Sequence, residues 1–253
     1  MREWILGRNP VYEVLHAHRR QGFRLLTAVG AEEKGRLAEI LALAVKRRIP
    51  TERVQRQRLD GIGEGHQGVA LETSPYPYSD LTQILARASE REETPLVLLL
   101  DMLQNPQNLA TLLRSAESAG AHGVIIPQRR AAGVTPAVVH ASSGASEHLL
   151  VAPMNLSQAI DILKQANLWV VGLEGGLGSI PIDQARLDGP LALVVGNEGE
   201  GMRPLVRQKC DLLVGLPMRG KVDSLNAAVA GSIVLYLALL ARTKKHAGPR
   251  EHG

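Results

Sequence analysis

The sequence predicts an α/β fold in which a parallel sheet, covered by helices on both faces, follows a small α+β domain. Six short apolar runs in the back of the chain are each typical of a strand buried on both faces: PLVLLLD, HGVIIP, HLLVAP, LWVVGLE, LALVVGN and DLLVGLP. Helical segments are predicted near residues 106–119, 155–166 and 224–241, between or after these runs. Buried strands that alternate with helices indicate a parallel sheet.

A polar stretch divides the chain into two predicted domains. Residues 75–94 contain prolines and the charged run EREE, so they are interpreted as a linker between a front domain, residues 1–74, and a back domain, residues 95–253. Within this linker, residues 81–89 are compatible with one or two helical turns. In the front domain, helices are predicted through Val11, Val14 and Leu15 and over Leu37 and Ile40. Strands are predicted near residues 24–29, 53–55 and 68–72.

The composition is that of an ordinary globular protein, with 45% hydrophobic and 21% charged residues. Cys210 is the single cysteine, which excludes an internal disulfide framework and fits a reducing compartment. The first twenty residues, MREWILGRNPVYEVLHAHRR, lack the apolar core of a secretory signal, so we expect a cytoplasmic protein. Residues 225–241 are nearly uncharged but short for a membrane span, and a buried helix is the preferred interpretation.

The charge distribution favours a polyanionic partner. The net charge is +4, and residues 1–74 hold 13 Lys and Arg against 9 Asp and Glu. Phosphate contacts supply much of nucleic-acid affinity, although many proteins are equally basic for solubility alone. The basic residues of the front domain that favour a phosphate-facing patch are Arg19, Arg20, Arg24, Lys46, Arg47, Arg48, Arg53, Arg56 and Arg58. Aromatic residues make up only 3% of the chain, which disfavours recognition by base stacking.

The segment DMLQNPQNLATLLRSAESAG, residues 101–120, carries the first candidate site residues. A strand is expected to end at Asp101, and Asn105-Pro106 is expected to begin a helix that contains Asn108 and Arg114. Apolar neighbours predict that this helix is mostly buried, and a buried arginine requires an anionic partner. The alternative is a surface arginine at the edge of the helix.

Two further segments contain unusually small residues. In LVVGNEGEGM, residues 193–202, a buried strand runs into a loop with Gly196, Gly199 and Gly201, and Glu198 is a candidate partner of Arg114. The loop matches neither the dinucleotide-binding fingerprint nor a P-loop, which disfavours a nicotinamide-dependent dehydrogenase. Alone, it is equally consistent with an ordinary turn.

The last segment, LPMRGKVDSLNAAVAGSIVLYLALLAR, spans residues 216–242. Ser224 is predicted as a helix N-cap, with Asn226 in the first turn. The small residues after Asn226 permit close approach of a ligand or another helix, although a well-packed terminal helix has the same composition.

Together, NPQNLATLLRSA, GNEGEGM and LPMRGKVDSLNAAVA resemble, in order, the three motifs of the SpoU/TrmH family of SPOUT-class methyltransferases. GRNPVYEVLHA and GHQGVALE extend the resemblance to members that methylate a guanosine ribose of large-subunit rRNA, whose front domain is a ribosomal-protein-like RNA-binding domain. The chain departs from the family at Gln107, Ala110 and Ala228, where relatives often have histidine, glycine and serine. These departures bear on the target nucleotide more than on the reaction.

The resemblance implies a C-terminal trefoil knot, a rare exception among protein folds. It implies S-adenosylmethionine as the methyl donor, an rRNA substrate, no metal ion, and a homodimer with the terminal helix in its interface. By matching position, the residues implied to bind the donor are Gly196, Leu216, Met218, Leu225 and Asn226. The residues implied to orient the RNA and shape the reacting site are Arg114, Asn108, Glu198, Ser224 and Asn226.

Other functions remain open at this point. A methyltransferase acting on tRNA or another rRNA position has the same chemistry, and the separate front domain favours rRNA only by analogy. A non-catalytic RNA-binding paralogue would be expected to lack Arg114, Glu198 or Asn226, and all three are present. A cytosine-type methyltransferase would use Cys210 as nucleophile, but this residue is expected to pack as a small apolar side chain.

Overall fold

The structure, a computed structural model, describes residues 2–176, 178–197 and 199–246. The chain forms two compact units. The front unit comprises residues up to Pro77 together with Val134–His148, and the second unit comprises Tyr78–Gly133 together with the chain from Leu149 onward. Each unit is described by itself below.

Within the described residues, the strands are β1 (Glu3–Leu6), β2 (Gly22–Ala28), β3 (Thr51–Val54), β4 (Val69–Thr73), β5 (Leu96–Leu100), β6 (Gly123–Ile126), β7 (Leu150–Pro153), β8 (Trp169–Leu173), β9 (Ile180–Pro181), β10 (Leu191–Val195) and β11 (Leu212–Gly215). The α-helices are α1 (Arg8–Ala17), α2 (Arg36–Lys46), α3 (Arg56–Asp60), α4 (Leu81–Glu90), α5 (Pro106–Ser118), α6 (Pro136–Ala141), α7 (Leu156–Gln165), α8 (Pro204–Lys209) and α9 (Ala227–His246). Short 3₁₀ helices cover Ala145–His148 and Ile182–Gln184.

The front unit contains a four-stranded sheet in the order β1-β4-β2-β3, in which only β2 and β3 are parallel. Val11, Val14 and Leu15 are buried on α1, as their helical spacing predicts. The predicted helix over Leu37 and Ile40 is α2, and the three predicted strands correspond to β2, β3 and β4. Strand β1 and helix α3 were not predicted, because each is only one turn or a few residues long.

The segment Val134–His148 belongs to the front unit although it lies between β6 and β7 in sequence. Arg20 donates from Nε and Nη2 to the two carboxylate oxygens of Glu147, at 2.9 and 2.8 Å. Both side chains are fully buried, so each charge depends on the other for compensation. The sequence places the members of this pair 127 residues apart, so local pattern cannot predict it.

The second unit contains a seven-stranded, all-parallel sheet in the order β7-β6-β5-β10-β8-β11-β9. The six predicted strands are all present, and only the two-residue β9 was missed. One face of the central strands, including Val97 and Val194, packs against α4, α7 and α8. Successive strand residues point to opposite faces, and Val195 accordingly lies against α9 on the other face. The predicted α/β class is confirmed.

The stretch 75–94, interpreted from sequence as a linker, contains the ten-residue helix α4. Asp80 and Gln83 form a capping box at its start, and Leu81 and Ile84 are buried in the core of the second unit. The apolar residues of this stretch recur at helical spacing, so burial stabilises it as part of the fold despite its prolines and charged end.

Helix α9 begins beside α5 and is buried on one face only. A Cβ at Gly231 would lie 2.7 Å from Leu112 Cδ2 and 3.0 Å from Val195 Cγ2. The absence of a side chain at Gly231 therefore lets α9 pack closely against α5 and β10. The opposite face exposes an apolar stripe consisting of Val229, Ile233, Tyr236, Leu237 and Leu240. The expectation of a buried helix is therefore correct for one face only. By length and composition alone, α9 is also long and apolar enough to cross a membrane, but a single helix of this kind is weak evidence for a membrane span.

Candidate functional site

A cleft lies at the carboxyl edge of the seven-stranded sheet, where β8, β10 and β11 end. Its volume is about 740 Å³ including the part open to solvent, within the range of small-molecule sites. Its lining combines residues from three strand ends and the start of α9: Leu173, Glu174, Gly175, Val195, Gly196, Asn197, Gly201, Leu216, Met218, Asp223, Ser224, Leu225, Ala227 and Ala230. Ligands of open parallel sheets bind outside the carboxyl ends of the strands, so this is the expected edge.

The glycine loop that follows β10 is closed on itself. Asn197 and Gly201 exchange two backbone hydrogen bonds of 3.0 Å, and Asn197 Oδ1 accepts the Gly199 N–H at 2.8 Å. A Cβ at Gly196 would lie 2.4 Å from the Gly201 carbonyl carbon, closer than any real Cβ contact, so only glycine allows this closure. Gly201 has φ 68°, a backbone conformation that also favours glycine.

Asp101 anchors this loop to the chain that follows β5. Its carboxylate is fully buried and accepts hydrogen bonds from the Arg203 N–H at 2.8 Å and from Arg203 Nε at 2.7 Å. Asn197 Nδ2 also donates to the Met102 carbonyl at 3.0 Å. The loop is thereby fixed at both ends, which orients its backbone groups toward the cleft before any ligand binds.

The predicted donor-binding residues of the last motif lie together at the cleft. Leu216, Met218 and Leu225 line it, together with Ser224, which was predicted to shape the reacting site. The predicted N-cap was wrong, because α9 begins at Ala227 and Asn226 caps it, accepting the Ala228 and Val229 N–H groups at 2.9 and 3.2 Å. An asparagine oxygen satisfies these otherwise unpaired donors as well as a serine hydroxyl does.

The first motif reaches the cleft rim through Asn108. Asn226 Nδ2 donates to Asn108 Oδ1 at 3.3 Å, which joins the start of α9 to α5. Farther along the two helices, the Ser115 and Ser232 hydroxyl oxygens are 2.7 Å apart. All three motifs are therefore in contact within one unit, as their proposed common site requires.

Arg114 lies on the solvent-exposed face of α5, not in its buried face. The buried positions of α5 are Leu109, Ala110, Leu112, Leu113 and Ala116. The expectation that Arg114 is buried is therefore wrong. Thr111 and Ser118, three residues before and four residues after Arg114 on the same side of the helix, are also exposed. Glu198, its predicted partner, lies outside the described residues.

Two acidic cleft residues were missed by sequence reasoning. Glu174 follows β8 and accepts a hydrogen bond from Arg207 Nε at 2.5 Å, and Asp223 precedes Ser224. Glu174 directly follows the apolar run LWVVGL, and a polar residue at the carboxyl end of a buried strand is the signal that would have identified it.

The predicted basic patch of the front unit is partly used for internal pairing. Arg20 pairs with Glu3 and Glu147, Arg53 with Glu33, and Arg58 with Glu52. Among the described residues, no carboxylate lies within ion-pair distance of the consecutive Lys46, Arg47 and Arg48 or of Arg56. The surface that remains for a polyanion is therefore centred on the end of α2.

Cys210 does not have the properties of a nucleophile. Burial raises the pKa of its thiol to about 12, so the side chain is a neutral thiol at physiological pH. The residue precedes β11, at the amino edge of the sheet, and it is not among the residues that line the cleft. As expected, it packs as a small side chain against the hydrophobic core of the second unit, and its Sγ donates to the Val206 carbonyl at 3.4 Å.

The composition of the cleft fits a nucleoside-bearing sulfonium cofactor. Apolar walls formed by Leu173, Val195 and Leu225 suit an adenine ring, and the Glu174 and Asp223 carboxylates suit the cationic sulfonium and ammonium groups. The closed glycine loop brings backbone donors and acceptors to the same surface.

Two family models cover most of the chain. Residues 95–236 match the SpoU rRNA methylase family, and residues 4–79 match the domain described as RNA 2′-O ribose methyltransferase substrate binding.

Curated relatives and solved structures agree with these matches. The 23S rRNA (guanosine-2′-O-)-methyltransferase RlmB of Pseudomonas putida is 41% identical, with 96% of this chain and 98% of the relative covered. YacO of Bacillus subtilis, named as a TrmH-family tRNA/rRNA methyltransferase, is 42% identical, with 92% and 94% covered. The SpoU methyltransferase AviRb of Streptomyces viridochromogenes, solved with AdoMet, aligns with a TM-score of 0.79 and 25% identity, covering 96% of this chain and 91% of that one.

The fold, the cleft and these matches define an RNA 2′-O-ribose methyltransferase that uses S-adenosylmethionine. The chain belongs to the SpoU methylase family.

Proposed function

We propose that this enzyme methylates the 2′-hydroxyl of a guanosine in 23S rRNA. The observation that carries the proposal is the 41% identity to RlmB of Pseudomonas putida across both units, because it includes the substrate-binding domain as well as the methyltransferase domain. A tRNA target is the second candidate, because the name of the Bacillus subtilis relative includes tRNA as well as rRNA. The exposed basic end of α2 supports an RNA partner in either case.

The proposed donor site is the cleft at the carboxyl edge. Gly196, Leu216, Met218 and Leu225 line it, and Asn226 fixes the adjoining helix start, which supports the roles inferred for these residues from the motifs. When bound, S-adenosylmethionine supplies a methyl group activated by its sulfonium, which a ribose oxygen can attack directly. The protein therefore needs to position the ribose and remove one proton, without a covalent intermediate.

The proposed RNA-facing residues are Arg114, Asn108, Glu198, Ser224 and Asn226. A guanidinium is a very poor base, so Arg114 is assigned the role of orienting the ribose and its phosphate, and it relays the proton only when paired with that phosphate. Its exposure on α5 supports this role, since an RNA phosphate reaches it from solvent. The Asn108–Asn226 hydrogen bond holds two amides at the cleft rim, where they can orient the substrate hydroxyl.

The proposal also includes a homodimer, a C-terminal trefoil knot and a cytoplasmic location. The exposed stripe of α9 supports the dimer, because Val229, Tyr236 and Leu240 are each about half exposed on one helix face. The return of the chain after β11 to the cleft beside Val195 is consistent with the knot. An RNA substrate and a single cysteine support the location.

The dimer is tested by light scattering after size-exclusion chromatography. We expect the wild-type chain to elute as a dimer and Ile233→Asp to elute as a monomer, because the charge falls in the apolar stripe. Ile162 on α7 has the same exposure, 38% against 39% for Ile233, so Ile162→Asp is the matched control and should remain dimeric. A monomeric wild-type protein, or a dimeric Ile233→Asp variant, would contradict the proposed interface.

The target is tested by incubating the protein with methyl-labelled S-adenosylmethionine and total RNA from a strain that lacks its RlmB enzyme. We expect label in one guanosine of 23S rRNA, located by the resistance of the methylated ribose to alkaline cleavage. Label in tRNA alone would select the second candidate. Label in neither RNA would contradict both.

A further inference from the structure

Three potential metal ligands converge in the front unit, and none of them lines the cofactor cleft. Glu13 and His16 lie one turn apart on α1, and His148 ends the 3₁₀ helix Ala145–His148. Glu13 Oε2 is 2.8 Å from His148 Nε2 and 3.7 Å from His16 Nδ1, and the three ligand atoms all lie within 4.8 Å of one another. We propose that Glu13, His16 and His148 form a binding site for a divalent transition-metal ion, with Zn²⁺ as the best-fitting ion.

The chemistry of the three groups matches zinc. Imidazole nitrogen and carboxylate oxygen are zinc ligands at about 2.0–2.2 Å, and a tetrahedral arrangement places such ligand atoms roughly 3.3 Å apart. The two distances from Glu13 Oε2, 2.8 and 3.7 Å, lie on either side of this separation. Small side-chain rotations therefore suffice for coordination, with a water molecule as the fourth ligand. Calcium and magnesium are disfavoured because they prefer oxygen ligands.

The backbone around the cluster holds two of the ligands in place. Gly144 has φ +88°, and a Cβ at this position would lie 2.5 Å from Glu13 Cβ. The turn before the 3₁₀ helix thus packs directly on Glu13 and brings His148 to the same side of α1. Glu13 and His148 are 24% and 29% exposed, whereas His16 is 58% exposed, which leaves an open side for an ion to enter.

A metal-free hydrogen bond accounts for only part of this arrangement. The contact between His148 and Glu13 is a normal hydrogen bond by distance. It does not involve His16, which the i,i+3 spacing on α1 brings to the same carboxylate oxygen and whose ring centroid lies 5.7 Å from that of His148, so that two imidazoles flank one carboxylate. The sequence predicts no metal site because His148 lies 135 residues from Glu13.

The ion would act on structure and not on methyl transfer. It would tie the segment Val134–His148, which the sequence inserts between β6 and β7, to helix α1 of the front unit. Binding to the folded state alone raises stability in proportion to the logarithm of the free-ion concentration, so added zinc should raise the thermal midpoint.

The experiment is a zinc titration of the tag-free, full-length protein in competition with a chromophoric chelator, repeated with Co²⁺ to record its visible absorption bands. We expect one Zn²⁺ per chain. His16→Gln, Glu13→Gln and His148→Gln should each weaken binding by at least the roughly 10- to 100-fold that loss of a residue supporting a ligand costs. The Co²⁺ bands should disappear in the same variants.

The matched control is His18→Asn, which removes a histidine from the same end of α1. His18 is the C-cap of the helix with φ 55°, a conformation that asparagine tolerates. Zinc binding should be unchanged in this variant. His16 is exposed, so His16→Gln should retain the wild-type far-ultraviolet circular dichroism and provides a test that does not depend on folding.

The proposal is overturned if the wild-type protein fails to compete with the chelator for zinc. It is equally overturned if His16→Gln binds zinc as tightly as the wild type, because the ion would then lie at other ligands.

Discussion

The two edges of the seven-stranded sheet differ in how their polar groups are satisfied. At the carboxyl edge, Ser224 lines the cleft and Asn226 lies between the lining residues Leu225 and Ala227; both are exposed to solvent, as is Arg114 farther along α5. At the amino edge, two polar side chains are instead paired with the protein's own backbone. Arg242 there donates to the carbonyls of Thr94, Pro95 and Gly189 at 2.7, 3.0 and 2.6 Å.

His122 shows the same pattern at the amino edge. It is 1% exposed, accepts the Leu96 N–H at Nδ1 and contacts Glu93 through Nε2, both at 3.0 Å. Buried groups of this kind stabilise the fold, whereas exposed polar groups around a cleft bind ligands. Substitutions of exposed cleft residues at the carboxyl edge should therefore change activity with little effect on stability, and substitutions of the backbone-paired residues Arg242 and His122 at the amino edge should do the reverse.

The largest effect is expected for Arg114→Ala at the carboxyl edge. Loss of the group that we propose orients the ribose and phosphate should lower the rate of methyl transfer by about 100-fold or more, with an unchanged thermal midpoint. The measurement is single-turnover transfer of labelled methyl groups to RNA. Arg186, 89% exposed at the amino edge, provides the control Arg186→Ala, which should retain the wild-type rate. Near-normal turnover by Arg114→Ala would remove the assignment.

The second prediction concerns the glycine loop. Gly196→Ala should weaken S-adenosylmethionine binding by about 10-fold or more, because its Cβ must displace the backbone of Gly201 and Met202 at a cost of about 1–3 kcal/mol. Calorimetric titration measures this. In Gly199→Ala the nearest atom to the new Cβ is Asn197 Oδ1, an ordinary 3.6 Å contact, so this variant of the same loop should bind the donor normally. Equal affinities for the two variants would show that closure of the loop at Gly196 is unimportant.

At the amino edge, Arg242→Ala should lower the free energy of unfolding by about 2 kcal/mol and the thermal midpoint by roughly 4–8 °C, because three carbonyls lose their donor. Burial is the main cause of a lowered pKa at Arg242, and the Asp188 carboxylate opposes this shift. Differential scanning calorimetry provides the measurement, with Thr243→Ala as the neighbouring control. A variant that loses donor binding while keeping its midpoint would reverse the proposed roles of the two edges.

The smallest effect is a pH dependence at His122. Burial is the main cause of its pKa being lowered from 6.5, and Glu93 opposes this shift. Since the unfolded chain then binds more protons than the folded one below about pH 6.5, stability should fall as the pH is lowered through and below this value. Thermal midpoints measured at pH 7.5 and 5.5 should differ less in His122→Gln than in the wild type. An unchanged difference would assign the pH dependence to other groups.

The sequence predicted the parts of this molecule that depend on local pattern. Buried strands such as β5 and β10 are recognisable because both faces are apolar, and the glycine loop is recognisable because its closure excludes other residues. The motifs also identified Leu216 and Leu225 at the cleft.

What the sequence could not predict depends on contacts between distant residues. The Arg20–Glu147 pair, which brings Val134–His148 into the front unit, joins residues with no shared periodicity. Serine and asparagine are similarly good N-caps, so the sequence does not show whether α9 begins after Ser224 or after Asn226. In the structure Asn226 is the N-cap, at the point where α9 meets α5. The exposure of Arg114 depends on which face of α5 packs on the sheet, and the apolar residues on either side of it obscured that choice.

A structure of the protein with S-adenosylmethionine tests most directly whether the carboxyl edge is the functional one. The donor should lie in the cleft between the glycine loop and the segment before α9, in contact with Leu216 and Leu225. At the amino edge, the protein has a second, open pocket of about 1330 Å³ including open solvent, lined by Trp169, Arg186 and Asp211 among others. Density for S-adenosylmethionine in that pocket, with an empty cleft, would contradict the conclusion that the carboxyl edge is the functional one.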